Sequence, residues 1–178
     1  MKYALFIITT LLTFSTSYSQ QVIISKMEKI TPSQGSDHVF IRKAIESGKA
    51  EIKMGAAARS NSTNPEIIDF GKMIEEDHLV LNEKLRNIAR QRDLEFSEQL
   101  SGESNFVYDK LKNLNGVGFD REFVTVMIKD HERIFDLFTH QAHDGKDMEL
   151  KSFAKEALPN IENHLKQIKK IKLQIIQE

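Results

Sequence analysis

Apolar and small residues recur along four long stretches of the chain at intervals of three and four, the period of a helix with one buried face. The first stretch, residues 37–60, carries Ile41, Ala44, Ile45, Gly48, Ile52 and Gly55. Its two glycines lower helix propensity but admit a neighbouring helix or a bulky group opposite. The second, residues 64–92, opens at Asn64-Pro65, a capping residue followed by proline at the first helical position. Its seam reads Ile67, Gly71, Ile74, His78, Leu81, Leu85, Ile88. The third, residues 120–143, is expected to start with Asp120 as N-cap and to stop at Gly145. Its seam is Val124, Met127, His131, Ile134, Phe138. The fourth opens at Asp147 and runs to 176 through Leu150, Ala154, Ala157, Ile161, His164, Ile168, Ile171 and Ile175. Pro159 leaves the Lys155 carbonyl without its helical partner, so a kink is expected there.

Residues 93–119 do not continue any of these patterns. Ser101-Gly102 and Asn115 to Gly118 are breakers, and Phe106, Val107, Leu111 and Leu114 between them predict a short amphipathic helix. A link of this length far exceeds the few residues of an ordinary helix connection, and it suits a crossover along the whole bundle. The expected fold is all-α: a ferritin-like four-helix bundle with a long crossover, containing a short helix, between helices two and three. Hairpins one-two and three-four are then antiparallel, and helices two and three run parallel.

Composition fits a single domain of 178 residues, 40% hydrophobic and 29% charged. A net charge of -1 gives no electrostatic case for nucleic acid or an anionic membrane surface. Met1-Lys2, the uncharged run Tyr3 to Phe14 and the small residues Ser17 and Ser19 predict a secretory signal peptide over 1–19. Twelve residues are too few to span a bilayer, so no membrane span is expected once the signal is cut. With no cysteine in the chain, neither a lipid anchor on cysteine nor a disulfide is available. The expected layout is therefore signal peptide 1–19, flexible arm 20–36 and bundle 37–176, in a protein exported to the periplasm or associated with the outer membrane.

Three seam positions hold histidine where leucine would serve: His78, His131 and His164. Each lies within about three residues of the middle of its helix, hence within about 5 Å of a common level. Glu51 sits at the edge of the first stripe, just past its helix centre, and leans inward. In the crossover arrangement helices one and four run parallel, so Glu51 meets His164 at the same height. A buried imidazole requires a hydrogen-bond partner, a charge or a metal. Three neutral imidazoles and a carboxylate form a plausible shell for one divalent ion, and ligand type alone does not separate Fe, Zn, Cu and Mn. The same groups can instead make a dry polar network or a pH-sensitive core. Asp77 and Asp130, each preceding a histidine, are candidate orienting groups for His78 and His131. Glu75-x-x-His78 has the spacing of di-iron bundles, but Ile161 stands where helix four would need its glutamate, which argues against a full di-iron site. Met73 and Met127 lie near the same level and read as core filler. No nucleophile elbow, phosphate loop or zinc-ribbon spacing marks the chain as an enzyme.

The segments FIRKAIESGKAEIKMG (40–55), FGKMIEEDH (70–78), FDREFVTVMIKDH (119–131) and FAKEALPNIENHL (153–165) resemble the secreted bacterial family called domain of unknown function 4142. The resemblance covers about residues 37–172. It implies a ferritin-like bundle in the periplasm or outer envelope and supplies no activity. Glu51, His78, His131 and His164 are among the positions that match the family's pattern. The outer-membrane label often given to such proteins does not suit a spanning barrel here, because no alternating strands occur. Two functions stay open: an exported metal-binding bundle, or a non-catalytic cell-envelope or stress protein whose histidines form a structural network and whose helices or arm engage a protein partner.

Overall fold

A computed structural model of the chain describes residues 32–175, with side chains from residue 36. The expected signal peptide and residues 20–31 of the arm lie outside the described residues. Five helices and no strands occur among the described residues: α1 (Pro32–Asn61), α2 (Pro65–Arg90), α3 (Gly102–Lys112), α4 (Gly116–Asp144) and α5 (Met148–Ile175).

Two helices begin earlier than the hydrophobic pattern implies. α1 starts at Pro32, so residues 32–36 of the expected arm are helical. A proline is accommodated in a first turn because that turn needs no N–H from it. α4 starts at Gly116, whose φ of +55° lets the chain swing into the helix at a glycine. Asp120 is thus one turn inside α4 and does not cap it; it is buried and accepts a 2.5 Å bond from the Ser62 hydroxyl in the α1–α2 turn. The other starts follow their sequence signals. Asn64 Oδ1 accepts from the Glu66 N–H at 2.9 Å, Ser101 Oγ from the Ser104 N–H at 3.3 Å, and Asp147 Oδ1 from the N–H groups of Glu149 and Leu150. α5 continues through Pro159 as one helix.

α1 packs along α2 and α4 along α5, while α1–α4 and α2–α5 contacts complete the arrangement; α3 lies against α1 and α4. Polar clips tie the helix ends together. Asn61 Nδ2, at the end of α1, donates to the Lys112 and Leu114 carbonyls just before α4. At the other end the Arg92 guanidinium, just past α2, reaches Asp147 and Glu149 at the start of α5. The link from α2 to α4 therefore leaves beside the α4–α5 turn and arrives beside the α1–α2 turn. Within it Leu111 is fully buried, whereas Phe106, expected on the same apolar face, is 72% exposed.

Apolar side chains form two clusters. One contains Ile41, Ile45, Leu85, Ile134, Phe138, Phe153 and Ile161; the other Met54, Ile67, Phe70, Ile74, Phe119, Phe123, Met127 and Ile168. The seam histidines belong to neither and fall between them in every helix register. Against the second cluster, α1 and α2 come into backbone contact at Gly55 and Gly71. A Cβ at Gly55 would lie 2.5 Å from the Gly71 carbonyl oxygen. Alanine raises helix propensity by about 1 kcal/mol, but a backbone oxygen cannot rotate away. Gly55→Ala is expected to destabilise the protein by about 1–3 kcal/mol, read as a lower urea midpoint. A midpoint at or above that of the wild type would mean that the two helices part without cost.

Candidate metal centre

Helical period brings the four central side chains together. Glu51 on α1, His78 on α2, His131 on α4 and His164 on α5 are each no more than 3% exposed. The three imidazole ring centroids are 5.5 to 5.8 Å apart. One ring nitrogen from each histidine lies within 4.8 Å of the other two. A single point is then within about 2.8 Å of all three, close to a metal–nitrogen bond of about 2.0–2.1 Å. The Glu51 carboxylate lies between two of the rings, with Oε2 at 3.0 Å from His78 Nε2 and Oε1 at 3.1 Å from His131 Nδ1. These contacts are near in distance but lack hydrogen-bond alignment, and both carboxylate oxygens are buried without a hydrogen-bond partner.

The surroundings fix which nitrogen of two rings carries a proton. His131 Nδ1 is 3.0 Å from the Met127 carbonyl, one turn back on α4. A carbonyl only accepts, so Nδ1 bears the hydrogen and Nε2 keeps its lone pair. His164 Nε2 is 2.8 Å from Asp77 Oδ2 on α2. The carboxylate accepts, so Nε2 bears the hydrogen and Nδ1 keeps the lone pair. His131 Nε2, His164 Nδ1 and His78 Nε2 are all buried without a hydrogen-bond partner. Leaving such an atom unsatisfied costs about 1–3 kcal/mol, and here five of them fall on four adjacent side chains. Donors of this kind, lone pairs on imidazole nitrogen and carboxylate oxygen, match the coordination of a divalent transition metal.

Electrostatics follow burial. Removal from water, reinforced by the nearby Asp130 carboxylate, holds the Glu51 carboxyl well above the usual range. Burial pushes His78 well below an ordinary histidine, with His131 and His164 adding to the effect. His131 falls to about 4, chiefly by burial. Burial also lowers His164, although its Asp77 partner opposes the shift. Each of these shifts favours the uncharged form of its group.

The remaining residues singled out in the sequence have other partners. Asp77 orients His164 across the α2–α5 interface and does not serve His78, its neighbour in sequence; it also accepts from Asn160 Nδ2 at 3.1 Å. Asp130 accepts from the buried Ser47 hydroxyl on α1 at 2.6 Å and pairs with Arg133, without bonding His131. Glu75 faces Arg59 on α1 at 3.0 Å, away from the histidine layer. Met127 is core, but its carbonyl orients His131; Met73 accepts from Gln167. Asn82, buried where the α2 seam was expected to carry Leu81, sits opposite Gly48 and donates weakly to the Ile45 carbonyl at 3.4 Å. Periodicity gave no sign of Ser47, Asn82 or the Met127 carbonyl.

These features define an all-helical protein with a buried cluster of three histidines and one carboxylate at the centre of its long helices. The chain belongs to the family described as Domain of unknown function (DUF4142), whose pattern matches residues 25–171. No curated protein matches the chain, and no solved structure does. No described helix is long and apolar enough to cross a membrane.

Proposed function

We propose that this protein is a ferritin-like four-helix bundle with a lengthwise crossover, exported to the periplasm or outer envelope, that holds one divalent metal ion on Glu51, His78, His131 and His164. The observation that carries the metal is the set of five buried, unpartnered donor atoms on those four residues. A dry network would pair these atoms with one another, whereas here the hydrogen-bonding nitrogens of His131 and His164 point to Met127 and Asp77 and their lone pairs are left for a cation. The Met127 carbonyl and the Asp77 carboxylate are the outer partners that fix ring orientation in metal sites. The crossover is supported by the polar clips at both ends, and export by the character of residues 1–19.

Elemental analysis of protein purified from its native compartment tests the metal. About one ion per chain is expected, and at least a tenfold lower content in His78→Ala. Substoichiometric metal in the wild type, unchanged by His78→Ala, would leave the structural network as the function of the histidines. Intact mass of the same material tests export, since cleavage after Ser19 leaves a chain beginning at Gln20.

A further inference from the structure

The interface between α2 and α5 is looser than either hairpin, and a cleft of about 200 Å³ opens along it. It runs from Lys84 and Phe153, toward the end of the bundle where α5 starts, to Asp77 at mid-length. Its apolar wall is formed by Val80 and Leu81 on α2 and by Phe153, Ala157 and Ile161 on α5. Val80 is 59% exposed, an aliphatic side chain left to water beside an apolar depression. The ionisable groups of the rim are Asp77 and Glu156 against Lys84. α1 starts at the same end of the bundle. Gln141 Nε2, near the close of α4, donates to Asp37 on α1 at 2.9 Å, and Arg92, just past α2, holds Asp147 before α5. Phe138 on α4 joins α1 to the cleft wall: its ring centroid is 5.0 Å from that of Phe40 and 6.0 Å from that of Phe153.

We propose that residues 22–30, which precede α1, fold back into this cleft and seat Val22, Ile23 and Ile24 against its apolar wall. The segment reads VIISKMEKI, an aliphatic block followed by Lys26, Glu28 and Lys29. An enclosed cavity of about 150 Å³ holds a benzene ring, so the open cleft takes one or two branched aliphatic side chains and leaves the rest of the segment along its rim. Such seating removes both the block and the exposed Val80 from water. Charge agrees in sign: two acids against one lysine on the rim meet two lysines against one acid in the segment. Length agrees as well. The eight residues from Ile24 to Pro32 reach about 26 Å when extended, whereas the descent along α1 from Pro32 to Phe40 takes about 12 Å. The remaining reach is comparable to the two ring contacts that carry α1 across to Phe153. This docking holds whether or not the histidines bind a metal.

The chain contains no cysteine, so an introduced pair is the only source of a disulfide. In the chain beginning at Gln20, Ile24→Cys is combined either with Val80→Cys in the cleft or with Asp136→Cys at a similar height on α4. Val80 and Asp136 are both exposed, so both variants should fold. A disulfide forms only when the two Cα atoms come within about 7 Å; mild oxidation followed by non-reducing electrophoresis and intact mass reads it. The Val80 pair is expected to close within one chain about tenfold faster than the Asp136 pair. Adding Val22→Ser and Ile23→Ser is expected to cut that advantage about fivefold, since the aliphatic block supplies the seat. Equal rates for the two pairs overturn the proposal. So does a fast Val80 pair that the serine substitutions leave unchanged. Disulfides that join two chains overturn the fold-back and assign the cleft to the segment of a second copy.

Discussion

Stripping the metal from natively purified protein should lower its thermal midpoint by about 10 °C. A ligand present at about a thousand times its dissociation constant stabilises the folded state by about 4 kcal/mol. For a domain of this size each kcal/mol moves the midpoint by about 2–4 °C. Removal also uncovers a local cost, because Glu51 and one nitrogen of each imidazole return to burial without partners. Scanning calorimetry with and without chelator measures the shift, and readdition of the metal found by elemental analysis should restore it. Glu51→Gln should lose most of the shift, since the amide keeps the shape and gives up the charge that holds a cation. A midpoint indifferent to chelator in metal-replete protein would count against coordination by this cluster.

The second large effect is on acid stability of the metal-free protein. His131 titrates at about 4 in the folded state against 6.5 in the unfolded chain. Between those values the unfolded chain takes up a proton that the folded one refuses, so stability is complete above pH 6.5 and is lost as the pH falls toward 4. The full shift corresponds to about 3 kcal/mol. His78, depressed in the same direction, adds to the loss. Glu51 acts oppositely. Its raised folded value means that it contributes most below 4.5 and loses that contribution as pH rises. In metal-free protein the histidines therefore lower stability as the pH falls below 6.5, while Glu51 opposes that slope from 4.5 upward. Urea midpoints in chelator at pH 4.5, 6.5 and 8.5 provide the measurement. His131→Leu should flatten the acid limb and raise stability there while abolishing metal uptake; Glu51→Gln should remove the opposing slope that begins at 4.5. Parallel acid limbs for wild type and His131→Leu would mean that His131 is already protonated when folded.

Much of the architecture was legible because a helix advertises its buried face through its period. His78, His131 and His164 stood out as polar residues on apolar stripes, and counting to the helix centres put them at one level with Glu51. What periodicity does not encode is the partner across an interface. Asp77 adjoins His78 in the chain, yet its side chain leaves the helix in a different direction and meets His164 on α5. Asp130 likewise turns toward Ser47 on α1. Glu75 has the sequence spacing of a metal ligand, but its position on α2 faces Arg59. The starts of α1 and α4 were misplaced for a different reason. Pro32 lay in the expected arm and Gly116 read as a breaker, yet proline suits the first turn of a helix and the positive φ of Gly116 turns the chain into α4. The substitution of Asn82 for Leu81 in the buried seam shows a further limit. Where Gly48 leaves space opposite, a polar side chain fills it, and the leucine beside it lines the α2–α5 cleft.

The polar layer dividing the two apolar clusters also acts as a vertical key among the long helices. Sliding α4 or α5 by a turn, about 5.4 Å, would carry its histidine among the apolar side chains of one cluster and set an aliphatic side chain in the polar layer. A uniformly apolar seam tolerates such slippage at little cost, because one isoleucine resembles the next. With the misfit residues confined to one storey, only a single alignment satisfies the helices of the bundle together, and the residues suited to chemistry are the same ones that tell the chain how to stack.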